Sequence, residues 1–285
     1  MKRIIIISLM VLAACAQQTR EQKVMARYVP ERSDDFVFEN NLIAGRIYGE
    51  ALEGNPTSPG IDIWVKRPGA LVADKRYRDE LENGRSYHID WGDGKDCYKV
   101  AVSLGGGASA PIIGGRICYP ATNYREWEIL RQSPDEVVFT LSYPEWEADG
   151  IRISLKKTVT VTADTYFCKV DDVYTFEGAD EIEVAAGVFR HPDQGSIVRE
   201  LVTDKAYAIW EHASDQSVEP EDGMLGVAVC CPDAGSVSVS PDGTHGLVCR
   251  SVRSGETFSY LFGSCWSKGD LKTAEDWFAR VLEAI

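Results

Sequence analysis

The feature that most constrains the fold of this 285-residue chain is a two-residue alternation of apolar and polar side chains. Apolar residues occupy every second position over residues 137–143 and again over residues 151–155. Since successive side chains of a strand point to opposite faces of a sheet, this period predicts half-buried β-strands. Shorter runs with strand character, separated by Gly, Pro and Asp, follow at residues 182–189, 206–210, 225–229, 236–240, 246–252 and 256–262.

So many consecutive strands predict two large stacked antiparallel sheets, an all-β supersandwich. A parallel sheet would need helices between its strands, and only one clear helix is predicted, at the C terminus. It begins with a capping-box pattern at Thr273 and Asp276. The apolar residues that share one face of this helix are Trp277, Phe278, Val281, Leu282 and Ile285.

We therefore predict one domain over residues 30–285, an antiparallel β-supersandwich with a C-terminal helix packed on it. Residues 65–87 are rich in charge and lack a clean apolar face. We expect them to form a long loop, which in a compact domain often serves as a binding lid.

The N terminus has the pattern of a bacterial lipoprotein signal. Two basic residues precede an apolar run over residues 4–11, and the tetrad Leu-Ala-Ala-Cys ends at Cys15. The run is too short to span a bilayer of about 30 Å. We expect residues 1–14 to be a cleaved signal peptide, Cys15 to carry the lipid that anchors the protein to a membrane, and residues 15–29 to be a polar tether.

This signal predicts a periplasmic location, with the cell surface as the alternative, and disfavours ATP-dependent and most nicotinamide chemistry. The formal net charge is −14. Because an acidic surface repels polyanions, we expect no nucleic-acid partner. Of eight cysteines, an odd number remains once Cys15 is lipidated, so at least one thiol is free. None has zinc-type spacing, and we expect them to be buried apolar residues.

Several motifs carry a resemblance to a known family. They are Asp-Asp-Phe-Val-Phe-Glu-Asn at 34–40, Ala-Gly-Arg-Ile-Tyr-Gly at 44–49, Ile-Asp-Ile-Trp-Val-Lys at 61–66, Tyr-His-Ile-Asp-Trp-Gly-Asp-Gly at 87–94, Leu-Gly-Gly-Gly at 104–107 and Trp-Ser-Lys-Gly-Asp at 266–270. The chain resembles a domain-of-unknown-function family of bacterial lipoproteins encoded among glycan-degrading enzymes. The resemblance covers nearly the whole mature chain. It implies a galactose-mutarotase-like or lyase-type supersandwich and an oligosaccharide ligand, but it supplies no reaction.

The densest polar chemistry lies in residues 88–99. A uronate lyase needs a base, a donor for the leaving oxygen and a cation for the sugar carboxylate. The predicted catalytic residues are His88 as base, Tyr98 as acid, and His191 with Glu211, which follow or end predicted strands, as an acid–base pair. The predicted substrate-binding residues are Arg46, Asp90, Trp91, Lys95, Trp266 and Lys268.

Two other interpretations of the same segment stay open. The first is an Asp-Gly turn whose carboxylates cap backbone amides. The second is a calcium site at Asp90, Asp93 and Asp96, although the loop lacks the terminal Glu of an EF-hand. No other metal or cofactor is predicted.

We predict a periplasmic carbohydrate-active protein that processes uronic-acid-containing oligosaccharides by lyase chemistry, or by a related epimerase or hydrolase step. The alternative is a non-catalytic glycan-binding lipoprotein of a polysaccharide-utilisation system. A binding site needs fewer titratable groups than a catalytic one, so the clustering of such groups favours the enzyme.

Overall fold

The computed structural model describes residues 20–53, 60–191, 197–212 and 222–285. Within these ranges the strands are β1 (Val24–Val29), β2 (Asp35–Asn40), β3 (Ala44–Ile47), β4 (Ile61–Lys66), β5 (Gly94–Asp96), β6 (Gly106–Ile113), β7 (Arg116–Ile117), β8 (Glu126–Gln132), β9 (Glu136–Ala148), β10 (Ile151–Thr162), β11 (Phe167–Glu177), β12 (Ile182–Phe189), β13 (Ile197–Val202), β14 (Ala206–His212), β15 (Met224–Cys230), β16 (Ser236–Val239), β17 (His245–Val252) and β18 (Thr257–Trp266). The helices are α1 (Ala73–Asn83), α2 (Ala274–Glu283) and the 3-10 turns Pro30–Arg32 and Glu50–Leu52.

Three antiparallel sheets contain these strands. The N-terminal sheet has the order β1-β2-β3-β4-β5, the second five-stranded sheet β16-β17-β12-β6-β7, and the large sheet β13-β14-β15-β18-β11-β10-β9-β8. The large sheet packs on both five-stranded sheets, which meet at a parallel bridge between Ile61 and Gly105. The predicted fold, an all-β antiparallel supersandwich with a C-terminal helix, is confirmed.

The core lies between the large sheet and the other two because the strands alternate as predicted. In β10 the inward side chains Ile153, Leu155 and Val159 are buried. Lys157 also points inward, and its Nζ lies 2.7 Å from an Asp172 carboxylate oxygen on β11. A charge is tolerated in such a core only when it is paired.

The predicted loop over residues 65–87 is wrong in its central part, where α1 runs from Ala73 to Asn83. The helix covers the outer face of the N-terminal sheet, and its buried residues are Ala73, Arg76 and Tyr77. Arg76 donates a 2.9 Å hydrogen bond to the carbonyl oxygen of Val65 on β4. Because an arginine and a tyrosine take the inward positions that aliphatic residues usually fill, the segment showed no apolar stripe.

The C-terminal helix begins where the sequence predicts. The Thr273 hydroxyl accepts a 3.1 Å hydrogen bond from the Asp276 amide, which completes a capping box. Trp277 and Val281 are fully buried against β14 and β15. Two residues of the predicted apolar face, Leu282 and Ile285, are not buried against the sheet but exposed.

The predicted tether over residues 15–29 is too long at its end, because β1 occupies Val24–Val29 and pairs with β2. Cys15 and the signal segment lie outside the described residues. Among the described residues, neither helix has the length and apolar character that a membrane span requires.

The seven cysteines of the described ranges are free thiols, and all but Cys118 are buried. Burial raises the pKa of Cys230 to about 12 and that of Cys249 to about 11. A thiol held in this state is a poor nucleophile. The predicted role as buried apolar residues is therefore consistent with the structure.

Candidate functional site

One short segment, residues 94–99, connects most of the predicted site residues. It contains β5 and the turn that follows it. Its side chains alternate, so Asp96 faces the layer under α1, whereas Cys97 belongs to the main core between the sheets. His88 contacts the backbone carbonyl of Asp96, and His191 contacts that of Lys99. Both predicted catalytic histidines are thus held by the same stretch of chain.

His88 has a defined tautomer. Its Nδ1 lies 3.1 Å from the Asp96 carbonyl oxygen, and since a carbonyl can only accept, Nδ1 carries the proton. In the neutral ring the lone pair is therefore on Nε2, which has no hydrogen-bond partner among the described residues. The side chain is 37% exposed. Burial of the rest of the ring lowers the pKa of His88 below its ordinary 6.5, which favours the neutral, basic form at pH 7.

His191 is fixed at both nitrogens. Nδ1 lies 2.9 Å from a Glu211 carboxylate oxygen, and Nε2 lies 2.8 Å from the carbonyl oxygen of Lys99. His191 and Glu211 are both buried. Because the carbonyl accepts only, Nε2 must carry a proton whether the pair is ionised or neutral. In this arrangement Nε2 cannot act as a base, and the geometry fits a positioning role.

Tyr98 belongs to the same segment, contacts His191 and is closed to solvent. Its ring contacts the edge of the His191 ring, with 4.9 Å between centroids. It is only 2% exposed, and its hydroxyl has no hydrogen-bond partner among the described residues. Burial raises the pKa of Tyr98 well above its usual value. The hydroxyl therefore keeps its proton, but it does not reach the surface where a leaving group would be.

Arg46, a predicted substrate-binding residue, is buried inside the protein. It is 4% exposed and lies among three carboxylates. Its guanidinium nitrogens lie 2.6 Å from Asp62, 2.9 Å from Asp96 and 3.5 Å from Asp35. With its charge so compensated, Arg46 has little capacity left for a sugar carboxylate. Its structural effect is to hold Asp96, and hence the carbonyl that orients His88.

If all three carboxyls around Arg46 were ionised, they would carry more negative charge than one arginine can balance. Burial raises the pKa of Asp35 to about 7 and that of Asp62 to about 7. The pKa of Asp96 is raised for the same reason. The Oδ1 atom of each of the three is buried and has no hydrogen-bond partner among the described residues. The cluster therefore holds protons up to near-neutral pH.

The predicted ligands Lys95 and Trp266 are buried as well. The Lys95 ammonium lies 2.6 Å from Asp222, and the Trp266 indole donates a 2.7 Å hydrogen bond to the Asp222 carbonyl. Arg67 and Lys268 lie 5.0 and 5.3 Å from the centre of the Trp266 ring. Trp266 is 3% exposed. A sugar cannot stack on it, so of this group only Lys268 remains accessible.

The acidic loop is organised as a turn. Asp90 accepts two hydrogen bonds from Arg67, at 3.0 and 2.9 Å, and caps the amides of Gly92 and Gly94. These bonds lower the pKa of Asp90 against the effect of its partial burial.

The calcium alternative is not supported by this geometry. Asp90 pairs with Arg67, Asp93 with Lys75, and Asp96 with Arg46. In the part of the chain that the structure describes, no group of three or more His, Cys, Asp and Glu side chains is arranged to hold a metal ion.

Trp91 is the predicted sugar-stacking residue that the structure leaves open. It is 50% exposed, and the Arg85 guanidinium lies 5.4 Å from its ring centre. The Trp91 indole donates a 3.0 Å hydrogen bond to the Ser86 carbonyl, and the His88 amide donates one of 3.3 Å to the Ser86 hydroxyl. Trp91 and His88 therefore belong to one turn, where an exposed aromatic face accompanies an open imidazole nitrogen.

The sequence analysis missed Tyr87 and Arg32. The Tyr87 ring stacks on Trp64 and contacts the His88 ring, with centroids 5.1 and 4.7 Å apart. Its hydroxyl accepts a 3.0 Å hydrogen bond from Arg32. Tyr87 lies inside the motif at 87–94, which was a usable signal. Arg32 lies outside every motif.

Comparison with known proteins places the chain in a family without an assigned activity. Residues 12–284 match the family described as a domain of unknown function, DUF4861. "Uncharacterized protein P7" of Formosa agariphila is 31% identical over 216 residues, which are 73% of this chain and 51% of that protein. The chain thus spans about half the length of that curated relative.

Two solved structures are weakly similar. The galactosidase domain of an alpha-galactosidase-sucrose kinase aligns with a TM-score of 0.38 and 9% identity, over 85% of this chain and 42% of that chain. The 4-alpha-glucanotransferase of Thermococcus litoralis gives 0.37 and 10%, over 86% of this chain and 40% of that chain. Similarity at this level carries no argument about activity.

Proposed function

The chain belongs to the DUF4861 family, and from that premise we propose that it is an extracytoplasmic carbohydrate-active protein acting on uronic-acid-containing oligosaccharides by lyase-type chemistry, with His88 as general base. One observation carries the proposal. His88 has its Nδ1 fixed on the Asp96 carbonyl, its Nε2 has no hydrogen-bond partner among the described residues, and its side chain is 37% exposed. A histidine so oriented, with a lowered pKa, is suited to proton abstraction near neutral pH.

The chemistry follows from the acidity of the proton beside a sugar carboxylate. Nε2 of His88 takes the C5 proton of the uronate, and the electron pair of that C–H bond forms a double bond between C4 and C5. The bond from C4 to the glycosidic oxygen breaks, and that oxygen takes a proton from water. The hydroxide that remains takes the proton held by His88, which restores the neutral base. Trp91, in the same turn, offers an apolar face for the sugar ring.

The test is incubation of the protein with a panel of uronic-acid oligosaccharides, read by ultraviolet absorbance of unsaturated uronate and by product mass. The proposal expects unsaturated products of unchanged summed mass from wild type, and none from His88→Gln. The matched control is His212→Gln, which removes an exposed histidine of β14 outside the cluster. Products that have gained water would indicate a hydrolase and contradict the lyase step.

A non-catalytic glycan-binding protein is the second candidate. The exposed Trp91 with Arg85 over its ring favours it, since an aromatic face and one cation suffice to hold a sugar acid. Calorimetric binding without any product would support this function. Trp91→Ala would then abolish binding, whereas His88→Gln would leave it intact.

We also propose that lipid on Cys15 tethers the domain to a membrane at its periplasmic face. The support is the signal pattern, since Cys15 lies outside the described residues. Cys15→Ala should move the protein from the membrane fraction to the soluble fraction. Unchanged sedimentation of this variant would contradict lipidation.

A further inference from the structure

Two arginines contact the hydroxyl of Tyr87, but only one of them forms ion pairs with carboxylates of the described residues. Arg46 lies 3.3 Å from that oxygen and Arg32 lies 3.0 Å from it. Arg46 is buried and pairs with three carboxylates. Arg32 is half-buried and forms no ion pair with any described residue. Every other described arginine that forms no ion pair is exposed, so among the described residues Arg32 is the one partly buried arginine without a carboxylate partner. A partly buried cation without a counter-charge is a candidate for binding an anionic ligand.

We propose that Arg32 is the residue that binds the sugar carboxylate, an assignment that rests on the proposed function. Among the described residues, Arg32 forms a hydrogen bond through Nε alone, to the hydroxyl of Tyr87. Nη1 and Nη2 have no partner among the described residues and are not sealed from solvent. A guanidinium that presents free N–H groups matches the planar geometry of a carboxylate.

The backbone after Arg32 supports a functional reading. Arg32 ends the 3-10 turn Pro30–Arg32, and the next two residues, Ser33 and Asp34, have φ of 54° and 59°. Two consecutive non-glycine residues in the left-handed region are strained and need support from their surroundings. Tyr28 and Tyr124 supply it, because their hydroxyls bond to the Asp34 side chain and carbonyl. The turn holds Arg32 beside Tyr87 at a cost in backbone energy.

Arg32 and His88 border the same aromatic ring. The Arg32 guanidinium carbon lies 6.0 Å from the Tyr87 ring centre, and the His88 ring centre lies 4.7 Å from it. In a uronate the carboxylate is bonded to C5, whose proton the base removes. A cation and a base on one ring can therefore serve the two neighbouring groups of one sugar residue. Pairing of the carboxylate with Arg32 would also stabilise the negative charge that develops when the C5 proton leaves, and so make that proton more acidic.

The experiment compares binding of a uronic-acid oligosaccharide with that of its carboxyl-reduced, neutral counterpart by calorimetry. Wild type should prefer the acid. Arg32→Gln should weaken binding of the acid by about 10- to 100-fold, as expected for a lost charged hydrogen-bonded pair, and leave the neutral sugar unchanged. Arg32→Lys keeps the positive charge but loses the planar pair of N–H donors, so its affinity for the acid should fall between those of wild type and Arg32→Gln. The control Arg78→Gln removes an exposed positive charge from α1 and should have no effect.

The outcomes separate this inference from the proposed function. If Arg32→Gln and Arg32→Lys both keep the preference for the acid, or if wild type shows none, the assignment of Arg32 is overturned. If binding depends on Arg32 but no unsaturated product forms, the lyase proposal fails and the assignment stands. Should Arg32→Gln not fold, as judged by its thermal melting, Arg32→Lys alone decides.

Discussion

His88 and His191 make a natural comparison, because each ring binds a backbone carbonyl and the two carbonyls belong to residues 96 and 99 of one segment. They differ in what the second nitrogen meets. In His191 it is the carboxylate of Glu211, whereas Nε2 of His88 has no hydrogen-bond partner among the described residues, on a side chain that is 37% exposed. The anchor sets the tautomer in both rings, and the second partner decides whether a lone pair is left for chemistry.

The same contrast holds for Arg46 and Arg32, which share the Tyr87 hydroxyl. In each pair one member is buried and fully paired, and the other is half-exposed with polar atoms to spare. In our proposal the buried members hold the site in place, and the partly exposed members contact the ligand. Removing a partly exposed member should therefore lower activity and leave stability nearly unchanged. Disrupting a buried pair should lower stability more than activity.

The largest effect is expected from His88→Gln. Loss of a general base should lower turnover by about 100- to 10,000-fold. The free energy of unfolding should change by less than about 1 kcal/mol, because the side chain is partly exposed and makes one side-chain hydrogen bond. Steady-state kinetics and urea unfolding measure the two quantities. If His88→Gln were much less stable than wild type but turned over normally, His88 would be a structural residue and not the base.

Glu211→Ala should give the opposite pattern. It leaves His191 buried without its carboxylate, so we expect the free energy of unfolding to fall by about 3 kcal/mol. Turnover per folded molecule should stay within about tenfold of wild type, since the pair positions residues rather than transferring protons. Urea unfolding, with activity corrected for the folded fraction, measures this. A 100-fold loss of turnover in a fully folded variant would show that Glu211 takes part in the chemistry.

The pH dependence of kcat/KM tests whether His88 is the group that must lose its proton for activity. His88 must be neutral to act, so activity is lost as pH falls through its pKa. Burial lowers that pKa below 6.5, which places the midpoint of the acid limb below 6.5, with about a tenfold loss per pH unit beneath it. A profile from pH 4 to 9 tests this. An acid limb above 6.5 would require a different base.

The regular parts of the fold could be predicted because period and capping are local properties. The strands β9 and β10 and the start of α2 follow directly from alternation and from Thr273 with Asp276. Helix α1 could not be found in this way, since it buries Arg76 and Tyr77 instead of a stripe of aliphatic residues. Its inward positions make sense only once β4 is known to lie beneath them.

For the site, the sequence indicated the right segment but not the state of each charge. His88 and Trp91 are 37% and 50% exposed, whereas Arg46 and Lys95 are buried against Asp62 and Asp222. Which lysine or arginine keeps an unpaired charge depends on carboxylates distant in the chain, and those partners are set by sheet register. For the same reason Arg32 gave no signal in the sequence.

The most direct test of the roles assigned to His88 and His191 is whether Nε2 of each ring carries a proton. Long-range ¹H–¹⁵N spectra of the imidazoles, assigned with His88→Gln and His191→Gln, report whether each ring nitrogen carries a proton. At pH 8 we predict an unprotonated Nε2 in His88 and a protonated Nε2 in His191, because the latter donates to the Lys99 carbonyl. A protonated Nε2 in neutral His88, or an unprotonated one in His191, would contradict the assignment of His88 as the base and His191 as a positioning residue.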